Sequence, residues 1–278
     1  MAFDLVAQGE RIDDAAIAEL ARSSGSTRWR RIAPGAARFH DARPGPGLDD
    51  LCARLELDCA LVQDGLRLSD YGLVAMDMDS TLITIECIDE LADMAGIRPQ
   101  VAKITASAMR GEIDFAESLT RRTALLAGLH ESALERVWSE RLKLSPGAER
   151  LVEGLRGRGI RTLLVSGGFT FFTERLKARL GLDYALSSEP EIADGRLTGR
   201  ILGRILDARG KAEAVRGIRE SLGLAAGQVI AIGDGANDLA MLAEAGVSIA
   251  YHAKPVVRRK TTYSFNHVGL DGLLNLFP

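Results

Sequence analysis

The sequence has little of what several classes of protein require. It holds three cysteines, four histidines and 5% aromatic residues among 278. No apolar run reaches the length of about eighteen residues that a membrane-spanning helix needs, and Asp4 and Glu10 stand where a signal peptide has its basic start. A formal net charge of -3 offers no basic surface for nucleic acid. These absences predict a cytoplasmic protein that binds neither nucleic acid nor membranes.

The cysteines show no paired metal spacing. Cys52 and Cys59 are seven residues apart, unlike a C-x-x-C motif. A reduced chain is the simpler interpretation for a cytoplasmic protein. Cys87 lies near the candidate site described below, where a small buried apolar side chain explains it better than a redox role.

What the sequence does have is a pair of carboxylates at the end of a predicted strand. Residues 73–76 form a short apolar run that is typical of a buried parallel strand, and Asp77 and Asp79 follow it. Open α/β sheets bind ligands at the carboxyl ends of their strands. Adjacent anionic groups repel each other and lose hydration. A metal ion and covalent chemistry on one carboxylate would explain that cost.

Three later segments strengthen this interpretation. The apolar run 163–165 leads into Ser166 and two glycines, and the run 229–232 leads into a loop that contains Asp234. Lys211 begins a helical stretch between these two segments. Acids can hold a divalent cation, a hydroxyl and backbone amides can hold phosphate, and a lysine can neutralise charge. Together the segments indicate a phosphoryl-transfer site.

The four segments, in this order, resemble the motifs of the haloacid dehalogenase superfamily of phosphatases. Further stretches narrow the resemblance to the phosphoserine phosphatases of that superfamily. The likeness begins at Leu73 and extends over the rest of the chain, whereas the first seventy residues carry no comparable motif. The stretches that carry it are Asp77-Met78-Asp79-Ser80-Thr81-Leu82, Glu86, Ala108-Met109-Arg110-Gly111, Ser118-Leu119-Thr120-Arg121-Arg122 and Ser166-Gly167-Gly168-Phe169.

The resemblance and the alternation of strands and helices predict an α/β fold. Residues 71–85 and 146–278 would form the catalytic core, a Rossmann-like parallel sheet with helices on both faces. Residues 86–145 lack a convincing strand and would form an inserted cap of four helices that gives substrate specificity. Residues 1–70 would form a small extra amino-terminal domain of unassigned function.

Local patterns predict several individual elements. In the amino-terminal domain, helices are expected over 13–22 and 49–57. Within the core, Asp194-Gly195 lies between alternating residues and predicts a hairpin. The stretch 247–250 is expected to be the last short strand.

The resemblance also assigns the catalytic and metal-binding groups. Asp77 would attack phosphorus and form an aspartyl-phosphate, and Asp79 would protonate the departing oxygen and later deprotonate water. Mg²⁺ is expected on the carboxylates of Asp77 and Asp234 and the main-chain carbonyl of Asp79. Asp238 would either orient the site from outside the ligand set or complement the dipole at a helix start.

The phosphoryl group would be bound by neighbouring loops. Ser166 and the amide of Gly167 would hold its oxygens, because glycine lets the backbone approach a ligand closely. Lys211 would balance the charge on the nucleophile and on the transferring group. Met78 and Asn237 are predicted to lie around the phosphoryl group or the metal.

One predicted helical face places an arginine among apolar residues. A guanidinium in such a position needs an anionic partner. The partner could be an acidic group on a neighbouring helix or the carboxylate of phosphoserine. In the second case Glu86 would receive the substrate ammonium, and Met109 and Phe115 would shield the pocket. The face consists of Phe115, Leu119, Arg122 and Leu126.

The resemblance therefore implies Mg²⁺-dependent hydrolysis of O-phospho-L-serine through an aspartyl-phosphate, the last step of serine biosynthesis. A related small-molecule phosphatase or phosphotransferase remains an alternative, since Glu86 and Arg122 do not exclude transfer to another hydroxyl acceptor. A ligand-binding regulator on an inactive scaffold is disfavoured by the intact set of Asp77, Asp79, Lys211 and Asp234.

Overall fold

A computed structural model describes residues 2–278. Its amino-terminal part is a four-stranded antiparallel sheet in the order β2-β3-β1-β4. The two predicted helices are present, but the four strands were not predicted. The elements are β1 (Phe3–Gln8), α1 (Asp14–Ser24), β2 (Arg28–Ala33), β3 (Ala36–His40), α2 (Leu48–Arg54) and β4 (Asp58–Gln63).

The two middle strands of this sheet, β1 and β3, are covered on both faces. Leu5 and Phe39 pack with the two helices in one apolar cluster. Val6 and Val62 point to the other face and join the main apolar cluster of the catalytic core. Alternation along a strand normally separates a buried face from a solvated face. Both faces are buried along β1 and β3, and most of β2 is exposed, so only β4 shows this alternation.

Buried polar contacts also fix the amino-terminal sheet on the core. The Asp58 carboxylate accepts hydrogen bonds from the backbone amides of Asn266, His267 and Val268 at 2.8, 2.8 and 3.1 Å. Arg38, which is 4% exposed, donates to the carbonyl oxygen of Leu276 at 2.5 Å. These contacts tie the loop after the last strand of the core, and the carboxyl-terminal helix that contains Leu276, to the amino-terminal domain.

We expect Asp58→Ala to lower the free energy of unfolding by about 2–3 kcal/mol, because the change leaves three partly buried amides without their charged acceptor. Urea denaturation followed by circular dichroism measures this loss. Asp64→Ala is the matched control, since Asp64 is exposed. Equal stability of the two variants would contradict the assignment.

The catalytic core contains a seven-stranded sheet in the order β11-β10-β9-β5-β6-β7-β8. Neighbouring strands are parallel except β7 and β8, which form the predicted antiparallel hairpin around Asp194 and Gly195. The expectation that 247–250 is the last strand is wrong, because a three-residue strand too short to show a pattern follows it. The strands are β5 (Leu73–Met76), β6 (Arg161–Phe169), β7 (Tyr184–Ala193), β8 (Arg196–Leu202), β9 (Val229–Gly233), β10 (Val247–Tyr251) and β11 (Tyr263–Phe265).

Four helices between β5 and β6 form the cap. A further helical turn, Val137–Arg141, completes it. The two connections to the core lie side by side, since Ile83 bridges Leu144 and the amide of Thr84 donates to the carbonyl of Lys143 at 3.0 Å. The cap helices are α3 (Cys87–Met94), α4 (Arg98–Met109), α5 (Phe115–Ala124) and α6 (Ser132–Arg136).

The remaining helices cover both faces of the core sheet. Val74 of β5 packs in one apolar cluster and Ala75 in the cluster on the opposite face, which explains the continuous apolar run. No helix within residues 2–278 is long and apolar enough to span a membrane. The core helices are α7 (Ala148–Arg156), α8 (Thr170–Leu180), α9 (Ala208–Ser221), α10 (Leu239–Leu242), α11 (Pro255–Arg258) and α12 (Leu273–Leu276).

The expectation of a fully reduced chain is wrong for two of the three cysteines. Cys52 on α2 and Cys59 on β4 form a disulfide, with their Cα atoms 6.3 Å apart. The turn between these elements folds the helix back beside the strand, and this brings the two residues within the range of a disulfide. Cys87 is a free, buried thiol whose pKa is raised by burial, as expected of a small apolar side chain.

Candidate active site

The predicted acids and the phosphate-binding loop meet at the carboxyl edge of the core sheet. Strand β5 lies between β9 and β6, and its Met76 is in register with Ile232 and Leu164. Asp77 therefore leaves the sheet beside Ser166, near the end of β6, and beside the loop that carries Asp234. Adjacent parallel strands bring together groups that are far apart in the sequence.

Lys211 is the buried cation of the site. It is 1% exposed and donates to the carboxylates of Asp77 and Asp238, the second at 2.7 Å. Burial alone would lower the pKa of Lys211, but the two carboxylates raise it well above its ordinary value. Asp238 also accepts from the amide of Gly235 at 2.9 Å. It thus contacts both the lysine and the loop of Asp234, as a residue that orients the site would.

Three carboxylates form an acidic cluster. Oxygen atoms of Asp77, Asp234 and Asp238 lie within 4.8 Å of one another. Burial and the charge of Asp238 raise the pKa of Asp77 well above its ordinary value and that of Asp234 to about 6. Thr81 donates to Asp234 at 3.1 Å. Hard oxygen ligands and unbalanced negative charge fit a divalent cation. The carbonyl of Asp79 stays a predicted ligand.

Asp79 links the core to the cap. One carboxylate oxygen accepts from the amide of Cys87, at the start of α3, at 2.9 Å. The other accepts from the hydroxyl of Ser166 at 3.4 Å. Burial raises the pKa of Asp79 even though the Cys87 amide opposes the change. A carboxyl group with a raised pKa suits a general acid.

Residues 166–168, which are predicted to bind phosphate, lie directly under the cap. The Ser166 hydroxyl accepts from the amide of Gly168 at 2.9 Å. A Cβ atom on Gly167 would come within 2.4 Å of the ring of Phe115, on α5. Only glycine leaves room for this ring, so the contact explains both the glycine and the predicted shielding position of Phe115.

Three of the four residues of the predicted apolar face lie on α5, whereas Leu126 lies beyond its last residue, Ala124. Leu119 and Leu126 are fully buried, and Arg122 lies between them along the chain. Its Nε atom is buried and has no hydrogen-bond partner among residues 2–278. Burial lowers the pKa of Arg122, while the charges of Asp89 and Glu86 act in the opposite direction. The guanidinium is therefore close to acidic groups, but among residues 2–278 it forms no salt bridge with a neighbouring helix.

Glu86 is the residue immediately before α3, the first helix of the cap. It accepts a hydrogen bond from a residue that was not predicted to be functional. The hydroxyl of Ser80 donates to the Glu86 carboxylate at 2.7 Å. Ser80 has a φ of 58°, which is unusual for a residue other than glycine. Surrounding protein atoms and the charge of Asp79 raise the pKa of Glu86 to about 8. A serine in a motif gives no sequence signal of such a backbone conformation.

The other predicted residues occupy less direct positions. Met78 is fully buried, and its Cε lies 3.3 Å from where a Cβ on Gly168 would stand, so it supports the phosphate-binding loop from beneath. Met109 is 65% exposed at the end of α4, with its sulfur 4.0 Å from the Lys254 ammonium. Asn237 lies in the turn after Asp234. Their contacts with a ligand stay predictions.

Known proteins share this fold and these motifs. A family model described as haloacid dehalogenase-like hydrolase matches residues 74–243. A phosphoserine phosphatase from Polaromonas sp. (strain JS666 / ATCC BAA-500) is 52% identical over 216 residues, which cover 76% of this chain and 92% of the relative.

Two solved structures extend the likeness. The unliganded structure of a probable phosphoserine phosphatase from Vibrio cholerae has a TM-score of 0.87 at 36% identity, over 99% of this chain and 86% of its own. A substrate-bound phosphoserine phosphatase has a TM-score of 0.70 at 36% identity, over 75% of this chain and 99% of its own. The first likeness includes the amino-terminal domain.

Proposed function

The chain belongs to the haloacid dehalogenase-like hydrolases, and from that premise we propose that it hydrolyses O-phospho-L-serine to L-serine and phosphate, the last step of serine biosynthesis. The observation that carries the proposal is Arg122, a half-buried residue whose Nε atom is buried and has no hydrogen-bond partner among residues 2–278. A buried polar group without a partner is costly, and a substrate carboxylate would supply the missing acceptor. The substrate-bound phosphoserine phosphatase that shares the fold supports this choice.

The resident cation is proposed to be Mg²⁺. The carboxylates of Asp77 and Asp234 and the carbonyl of Asp79 would hold it, with Asp238 fixing the arrangement through Lys211. When bound, the ion would withdraw charge from the phosphoryl oxygens and orient the group for attack. Its charge would also lower the pKa values of the clustered acids, so that Asp77 is ionised at neutral pH.

The reaction follows from the placement of two carboxyl groups. A carboxylate oxygen of Asp77 attacks phosphorus, and the bond between phosphorus and the serine oxygen breaks. Asp79, whose pKa is raised by burial, would act as the general acid and give a proton to that oxygen. Lys211 balances the negative charge beside the nucleophile. In the second step Asp79 takes a proton from water, the water oxygen attacks phosphorus, and the Asp77 carboxylate leaves with release of phosphate.

Substrate groups would be held at three points. The Ser166 hydroxyl and the Gly167 amide would bind phosphoryl oxygens, and Arg122 would bind the carboxylate. Glu86 would bind the ammonium, whose positive charge would reverse the raised pKa of that acid. Phe115, which covers Gly167, would exclude water from the phosphoryl group.

Arg122→Ala should lower kcat/KM for phosphoserine by roughly 30- to 1000-fold, the equivalent of losing about 2–4 kcal/mol of charge-assisted contact. Hydrolysis of p-nitrophenyl phosphate should change little, because this ester has no carboxylate. Both substrates are assayed on the same preparation. Arg121→Ala is the control, since Arg121 is exposed and pairs with Glu117 on its own helix.

Two results would contradict the proposal. Equal losses on both substrates would assign Arg122 a structural role, and an unchanged phosphoserine rate would remove it from the site. Measuring serine and free phosphate together tests the alternative of transfer to another acceptor, because hydrolysis releases the two in equal amounts whatever hydroxyl compounds are added.

A further inference from the structure

Backbone-to-backbone hydrogen bonds join the cap to the core at two places, in addition to the contact that Asp79 makes with Cys87. The first is the pair of chain connections at Ile83 and Leu144. The second is the β7–β8 hairpin, whose Leu197 exchanges backbone hydrogen bonds with the segment that follows α5. The Gly128 amide donates to the Leu197 carbonyl at 2.8 Å, and the Leu197 amide donates to the Leu129 carbonyl at 2.9 Å. The hairpin therefore holds the cap just after α5, at residues that are distant in the sequence from both chain connections.

The hairpin also touches the end of α5 directly. Gly199 has a φ of +84°, and a Cβ there would lie 2.9 Å from the Ala127 Cβ, 3.1 Å from the Ala124 carbonyl and 3.2 Å from the Ala124 Cα. Any larger residue would push α5 away. On the surface side, the Arg196 guanidinium donates to the Gly128 carbonyl at 2.7 Å. These contacts fix the last turn of the helix that carries Arg122.

At its other end the hairpin is continuous with the phosphate-binding region. Strand β7 pairs with β6 at Ser188 and Phe169, two residues after Gly167. The Ser188 hydroxyl accepts from the amide of Leu206, whose carbonyl lies beside Gly167. The same hairpin thus contacts the loop proposed to bind phosphate and the helix proposed to bind the carboxylate.

We propose that the β7–β8 hairpin sets the spacing between the phosphate and carboxylate ends of the substrate, with Gly199 as a positioning residue for Arg122. The inference rests on the proposed function. Arg122 is two residues, or about 3 Å along the helix axis, from Ala124, whereas Phe115 is nine residues, or about 13 Å, away. A shift of the last turn of α5 therefore displaces the Arg122 guanidinium but leaves the Phe115 ring nearly in place beside Gly167.

Gly199→Ala tests this directly. It should lower kcat/KM for phosphoserine by about 10- to 100-fold, mainly through KM, because small displacements of a binding group have large effects. Hydrolysis of p-nitrophenyl phosphate should fall by less than about threefold. Gly203→Ala is the matched control: Gly203 also has a positive φ, of 65°, but a Cβ there meets nothing within 4 Å. It should leave both rates unchanged.

Two further variants keep the test decisive. Ala127→Gly combined with Gly199→Ala removes the shortest contact and should recover part of the phosphoserine activity. Arg196→Ala changes an exposed side chain, so the protein should fold, and it should show the same substrate-selective loss at a few-fold. Equal losses on both substrates, no recovery in the double variant, or no selective loss in Arg196→Ala would each overturn the inference.

The failure of this inference can be separated from failure of the proposed function. If the parent protein does not hydrolyse phosphoserine, the proposed function is wrong and the positioning role falls with it. If the parent hydrolyses phosphoserine and Gly199→Ala retains its preference for phosphoserine over p-nitrophenyl phosphate, only the positioning role is wrong.

Discussion

Asp77→Asn will reduce phosphoserine turnover by roughly 10⁴-fold or more, because an amide is too poor a nucleophile to attack phosphorus. The substitution keeps the size of the side chain and an oxygen that can accept from Lys211, and Asp238 still pairs with that lysine. The fold should therefore survive. Steady-state release of phosphate measures the loss.

Acid quenching tests the covalent step itself. The parent protein, quenched during turnover of phosphoserine labelled in its phosphoryl group, should carry label on the chain, and the Asp77→Asn variant should carry none. Asp64→Asn, an exposed substitution of the same chemical type, is the control. Substantial turnover by the Asp77 variant would refute its role as nucleophile.

Removal of divalent metal will bring the rate close to zero, and Mg²⁺ will restore it. Burial, and after it the charge of Asp238, raise the pKa of Asp234 to about 6, so the ionised acid is unfavourable there without a cation. Ca²⁺ should restore about a tenth of the rate or less, because a larger ion with a looser ligand shell misplaces the phosphoryl group. Activity is measured after exhaustive chelation and again after each metal is added back.

A binding measurement separates the metal site from the chemistry. Mg²⁺ should raise the melting temperature of the parent protein, since a ligand that binds only the folded state stabilises it. The shift should be much smaller for Asp234→Asn. Full activity of the chelated protein, or an equal shift in the variant, would rule out Asp234 as a metal ligand.

The active-site residues of the catalytic core could be predicted because they lie in short motifs that occur in a fixed order along the chain. Strand β5 is apolar on both faces, and Asp77 and Asp79 follow directly after its last residue. Lys211 and Asp234 could be placed in the same site because parallel strands and their connections converge at one edge of a sheet. The arginine on α5 was recognisable because it interrupts an apolar helical face.

The amino-terminal sheet could not be predicted for the opposite reason. Asp58 resembles a surface acid in the sequence, yet its partners begin 208 residues further along the chain. The contact of Gly199 with Ala127 is likewise a product of the tertiary fold. The pairing of Cys52 with Cys59 depends on how α2 returns against β4, which the spacing of seven residues does not reveal.

At position 80, the stability of the fold and the hydrogen bond to Glu86 favour different residues. Glycine at this position would remove the cost of a left-handed backbone and should make the fold more stable. Only a hydroxyl, however, can donate to Glu86 as Ser80 does. In a library of all substitutions sorted once for folding and once for growth without serine, glycine at position 80 should rank high in the first sort and low in the second. If Glu86 binds the substrate as proposed, the less favourable residue serves recognition of the substrate rather than folding.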